Sequence, residues 1–228
     1  MIAAVRRRFL TEESGFSLPE VLTTIVIMIV VLFALYSIFD MSLRVFSFGN
    51  NKVEAVESAR VGLEKMEREI RGAYKKDTTV TPAQNQLFFT TASPATALTV
   101  PPTTVTQLTF GNDLGNAGAG NGKIECGIPC EYITYRLTDD AGNTACTASP
   151  CTLRRVNTAN SDDYGAPVVE NVSANGLRFT FYTSEGGTPA NESKVGLVLV
   201  SLDVIVDQGI GNPGTQELTT AIDLRNRE

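Results

Sequence analysis

Gly15-Phe16-Ser17-Leu18-Pro19-Glu20, running into the uncharged apolar stretch Val21–Phe39, decides how this chain is read. An ordinary secretory signal has basic residues, then a short apolar core, then a small-residue cleavage site. Here the basic group Arg6-Arg7-Arg8 and the small residue Gly15 both precede the apolar run. A cut after Gly15 would leave the whole run on the mature protein, with Phe16 as its first residue. The product of such a cut is still anchored.

Val21–Phe39 is 19 residues long, and a helix of that length crosses a bilayer core at about 1.5 Å per residue. The basic cluster Arg6-Arg7-Arg8 lies on its N-terminal side, so the positive-inside tendency places residues 1–15 in the cytoplasm and exports the rest. Glu20 stands at the edge of the apolar stretch, where a carboxylate is costly unless paired or at the interface. Pro19 falls where a first helical turn would begin, and a proline is tolerated there because its missing N–H has no intrahelical partner anyway.

The helical pattern continues past the span. Val56, Ala59, Leu63, Met66, Ile70 and Ala73 recur at intervals of three and four, which predicts an amphipathic stripe. Glu64 with Arg68 and Glu67 with Arg71 are i,i+4 pairs expected on the solvated face. Phe48-Gly49-Asn50-Asn51 contains weak helix formers, so a kink or melted turn is expected there. A helix over Leu18–Tyr74 would run about 85 Å.

After Lys75-Lys76-Asp77 the composition turns to Thr, Val, Gly, Asn and Pro. Strands are expected at 86–90, 105–110, 132–137, 152–156, 177–183, 195–206 and 218–224. Val198, Val200, Leu202, Val204 and Val206 share one face by period two, as do Leu177, Phe179 and Phe181. Segments 111–123 and 207–215 read as loops. The fold class expected is α+β: a long N-terminal helix packed by its second half on an antiparallel sheet. The chain organises as a leader at 1–15, a helix at 16–76 and a β-rich exported head at 77–228.

Composition removes several functions. The 228 residues carry a net charge of −6 and contain no His and no Trp. Removing residues 1–15 takes away three Arg and two Glu, leaving about −7. Without clustered Lys or Arg beyond the leader, no nucleic acid partner is expected. Without His there is no imidazole base, metal ligand or Ser/Cys triad, so no enzyme and no cofactor are expected.

Cys126, Cys130, Cys146 and Cys151 allow three pairings. Export favours disulfides over a four-thiolate zinc site. Local pairs are expected, Cys126 with Cys130 and Cys146 with Cys151, because a bond at 146–151 would brace the loop between strands 131–137 and 152–156. Asp113, Asp139-Asp140-Ala141-Gly142-Asn143 and Asp162-Asp163 offer oxygens for calcium, but complete no EF-hand spacing and read first as turns.

Gly15, Phe16 and Glu20 ahead of the span resemble the processing site of type IV prepilins and pseudopilins, with Pro19 where that family more often has Ile or Val. Three later stretches add to the likeness: Leu63–Arg71, the pair Ile133–Leu137 and Leu153–Arg155, and the close on Ile222–Asn226. Together they are similar to J-type pseudopilins of type II secretion and PilW-like minor pilins. The resemblance implies the pilin fold and a filament subunit. It implies a prepilin peptidase that cuts after Gly15, and N-methylation of Phe16. It implies that Glu20 meets the N-terminal amine of a neighbouring pilin subunit, and that an assembly platform with its ATPase builds the filament. The protein would then pass from a single-pass inner membrane form to an extracytoplasmic filament. The alternative is a tip subunit that binds a surface or DNA through its loops.

Overall fold

The structure is a computed structural model that describes residues 15–73, 88–92, 95–97, 104–112, 132–142, 144–156, 165–190, 194–206 and 213–224. The chain divides into two compact units, 1–47 and 48–228. One helix, α1 (Leu18–Arg71), contributes to both. The second unit therefore starts inside the helix, as a core-facing stripe in its C-terminal half requires.

Among the described residues nine strands follow: β1 (Phe88–Ala92), β2 (Ala95–Ala97), β3 (Thr104–Val105), β4 (Leu108–Gly111), β5 (Tyr132–Thr138), β6 (Cys151–Val156), β7 (Ala166–Tyr182), β8 (Leu197–Val206) and β9 (Gly214–Asp223). They form one sheet in the order β2-β1-β4-β5-β6-β7-β8-β9, with β3 on β7, and every pairing is antiparallel. The expected α+β architecture is the observed one.

α1 buries Ala59, Gly62, Leu63, Met66 and Ile70, and Ala73 just beyond its end is buried too. Against these pack Leu108, Phe110, Ile133, Tyr135, Leu153, Val169, Leu177, Phe179, Phe181 and the face Val198, Val200, Leu202, Val204. Phe110 stacks on Tyr135 at 6.3 Å and Phe88 lies 5.3 Å from Phe181. Val56, placed in the stripe by its spacing, is only half-buried. Gly62 sets how close helix and sheet come: a Cβ there would overlap Val169 Cγ2 and stand 3.3 Å from Val168 Cγ1.

Polar ties fix the helix on the sheet. Arg155 Nε donates to both oxygens of Glu69 at 2.9 Å, and Tyr135 Oη donates to Glu69 Oε2 at 2.6 Å. Asn112 Nδ2 donates to the Glu69 carbonyl at 3.2 Å. Burial first, then the Glu69 carboxylate, pushes the Tyr135 phenol far above its ordinary value. At the other side of the helix Glu67 pairs with Arg71 and accepts from Thr220 of β9 at 3.4 Å.

Several expectations are corrected. Residues 48–51 are helical without a break, because a Gly or Asn costs about 1 kcal/mol or less in a helix. Glu67 and Arg71 are not on a solvated face: each side chain is about one-third exposed, 32% and 35%. Glu64 meets Arg60 of the preceding turn at 3.4 Å. The expected strand 105–110 splits, β3 pairing with β7 and β4 with β1 and β5. β7 starts eleven residues before Leu177, since Asn171 and Asn175 take φ of 57° and 63° and hold irregularities that a turn-like composition conceals. Gly214 and Thr215, expected in a loop, belong to β9.

Candidate functional site

The start of α1 is the site to which the sequence directs attention. Gly15, Phe16 and Ser17 are non-helical and exposed, and Phe16 is 78% exposed. The Gly15–Phe16 peptide bond thus lies between two exposed, non-helical residues. α1 begins when the Ser17 carbonyl accepts from Glu20 N at 3.0 Å and Val21 N at 3.2 Å. Pro19 sits in this first turn, as expected, where no intrahelical acceptor is lost. Glu20 occupies the first turn as well, where the positive end of the helix dipole favours a carboxylate. Its side chain is exposed and has no hydrogen-bond or ion-pair partner among the described residues.

From Val21 the helix is apolar all round. Ile25, Val26, Ile27, Met28, Ile29, Val30 and their successors to Phe39 are exposed, and the helix is long and apolar enough to cross a membrane. Three hydroxyls bond back into the helix: Thr23 donates to the Glu20 carbonyl, Thr24 to Val21 and, just past the run, Ser42 to Ile38, each at 2.9 Å. Those three need no water, which suits a hydrocarbon surrounding. The apolar run stops at the ion pair Asp40–Arg44, 3.0 Å apart.

In the head, Cys146 and Cys151 form a disulfide with a Cα–Cα distance of 5.8 Å, the expected local pair. Two bonded sulfurs leave no four-thiolate zinc set. Cys126 and Cys130 lie outside the described residues, as do Asp113 and Asp162-Asp163. The closed loop is fixed to β7, because Ser149 Oγ accepts from Ala174 N at 2.7 Å. Asp139 is committed to its own turn: Thr144 N and Oγ1 donate to its carboxylate at 3.3 and 3.1 Å. Asp140 Oδ1 accepts from Thr152 Oγ1 at 3.1 Å. These carboxylates serve local structure, and Gly142 supplies the φ of 79° that the turn requires.

Sequence reasoning missed the polar residues that join helix to sheet, namely Glu69, Tyr135 and Arg155. A signal was present. Arg154 and Arg155 are consecutive on a strand, so one must face the core side and require an acid. Glu69 stands next to Ile70 in the buried stripe.

Comparison with family models, with curated proteins and with solved structures found no match to this chain.

Proposed function

We propose that this protein is a minor pilin or pseudopilin, a structural subunit of a type IV pilus-like filament, processed after Gly15 and assembled through α1. The observation that carries the reading is the exposed, non-helical Gly15-Phe16 immediately before a first turn holding Glu20 and an all-round apolar helix. That order makes a cleaved protein that keeps its anchor. A methylated Phe16 amine on one subunit would be the cation that the unpartnered Glu20 carboxylate of the next subunit takes up. In a low-dielectric helix bundle, an unpaired carboxylate costs several kcal/mol, so pairing would fix the axial register. The prepilin peptidase, the assembly platform and its ATPase are the machinery this reading requires. The filament would be extracytoplasmic, and the likeness to J-type pseudopilins extends the reading to a tip or initiation role for this subunit.

The test is the intact mass and N-terminal sequence of the protein from its native membrane. A chain beginning at N-methylated Phe16 is the expected result; one beginning at Met1 leaves a plain membrane anchor. Glu20→Ala should reduce filament number while the head's unfolding transition stays unchanged. Normal filament number in that variant removes the assembly role of Glu20.

A further inference from the structure

Glu54 and Glu57 stand three apart on α1, and Lys65 and Arg68 repeat that spacing with the opposite sign eleven residues later. Eleven residues make about three helical turns, so both pairs project from one side of the helix. That side is turned away from the sheet, because Ala59, Gly62, Leu63, Met66 and Ile70 are the buried residues of α1. Glu54, Glu57 and Arg68 are exposed and Lys65 is half-buried. Val61, midway between the two pairs, is 62% exposed, so the head leaves this face open. Arg60 and Glu64 satisfy each other at 3.4 Å. Glu54, Glu57, Lys65 and Arg68 are in no ion pair with a described residue.

Two parallel copies of α1 set side by side at the same height would oppose carboxylate to carboxylate and cation to cation, which is repulsive. Slid past each other by eleven residues, about 16 Å, the same faces bring Lys65 of one copy to Glu54 of the next and Arg68 to Glu57. Repeated from copy to copy, the slide gives all four charges partners. We infer that this face of α1 is an ionic contact between neighbouring copies of the chain, formed only when they are displaced by three turns along the helix. Copies anchored in one bilayer sit at equal depth, where the face repels. Subunits displaced along a filament reach the offset at which it attracts. The acidic and basic pairs are different patches, so the contact is heterologous and extends into an open chain rather than a closed twofold pair. The inference deepens the filament reading, on which it rests for parallel, displaced neighbours.

The test is carbodiimide cross-linking, which joins a carboxylate to an amine in direct contact, applied to sheared filaments and to membranes from the same cells and read by peptide mass spectrometry. Lys65 joined to Glu54 in the filaments, and not in the membranes, is the expected result. That link comes from two chains, because the two residues are about 16 Å apart along one helix. Arg68→Glu should lower its yield about tenfold, equivalent to about 1.4 kcal/mol. Glu57→Arg/Arg68→Glu should restore it, since the swap keeps the same offset. Both side chains are exposed, so the melting of the head should be unchanged in each variant. Filaments that hold the chain but lack the link overturn the inference and leave the filament reading standing. Lys65 joined to Glu57, the mark of antiparallel neighbours, overturns it too, as does an equal yield in membranes or a swap that fails to restore the link. Cells that build no filament with this chain remove the filament reading and the inference together.

Discussion

Arg155 Nε lies 2.9 Å from each carboxylate oxygen of Glu69, joining β6 to α1 across 86 positions of sequence. The two side chains are only 16% and 12% exposed. Removing one partner would leave the other charge buried without compensation. Glu69→Ala should therefore lower unfolding free energy by about 3 kcal/mol, read from denaturant midpoints. Glu69→Leu/Arg155→Leu should lose less than Glu69→Ala alone, because no charge is stranded. Equal losses would show that the pair acts by packing only.

Tyr135 gives the head an alkaline limit. Its phenol is raised far above its usual range by burial and by Glu69, whereas an unfolded tyrosine ionises near about 10. A raised folded value contributes stability that is present below the unfolded value and lost as pH rises past it. Thermal melts should fall as pH climbs through about 10, and Tyr135→Phe should show a shallower fall. An identical alkaline slope in that variant would assign the effect to another group.

Asp203 works in the opposite part of the pH scale. Burial raises its carboxyl, and Glu217 adds to this, against the lowering effect of Arg178 at 3.3 Å. A raised acid contributes stability below its unfolded value, and that contribution is lost as pH rises through the folded one. At neutral pH the ionised form is thus a net burden. Asp203→Asn should melt higher than wild type at neutral pH and no higher in acid. A lower melt at neutral pH would mean that the Arg178 pair outweighs desolvation.

Gly62 and Gly49 should respond in opposite directions to alanine. Both gain about 1 kcal/mol in helix propensity. At Gly62 the new methyl overlaps the stiff, β-branched Val169, and overpacking of this kind costs about 1–3 kcal/mol. Gly62→Ala should destabilise, while Gly49→Ala, which meets nothing within 4 Å, should raise helicity measured by circular dichroism. Tolerance of Gly62→Ala without loss would show that the sheet can retreat from the helix.

The Cys146–Cys151 bond closes a short loop, so the chain-entropy contribution is about 2 kcal/mol. Cys146→Ser/Cys151→Ser should lose that amount and also speed hydrogen exchange at Ala174, whose amide is held by Ser149. Unchanged protection at Ala174 would separate the loop's docking from its bond.

The helical stripe, the apolar faces of β7 and β8, and the local disulfide were legible because each depends on spacing alone. Residues 3 or 4 apart share a helix face, and residues 2 apart share a strand face. What spacing does not carry is the partner across the fold. The i,i+4 spacing of Glu67 and Arg71 points to a solvated face; the second partner of Glu67, Thr220, is 153 positions away. The early start of β7 was hidden for a related reason. Asn171, Asn175 and Gly176 are turn-forming residue types, yet they lie inside β7, where the register shifts against its neighbours. A Cβ at Gly176 would come within 2.8 Å of the Asp203 carbonyl, a constraint invisible without β8. The start of α1 at Leu18 was legible, since a proline in the first turn acts through its own backbone.

β7 carries β6 between Ala166 and Val172 and β3 at Phe179 and Thr180, with β8 on its other edge from Val172 to Tyr182. It is also the strand on which the helix rests at Gly62. A pull on α1 is therefore shared among β7 at Gly62, β5 and β6 through Glu69, and β9 through Glu67, and loads no strand alone.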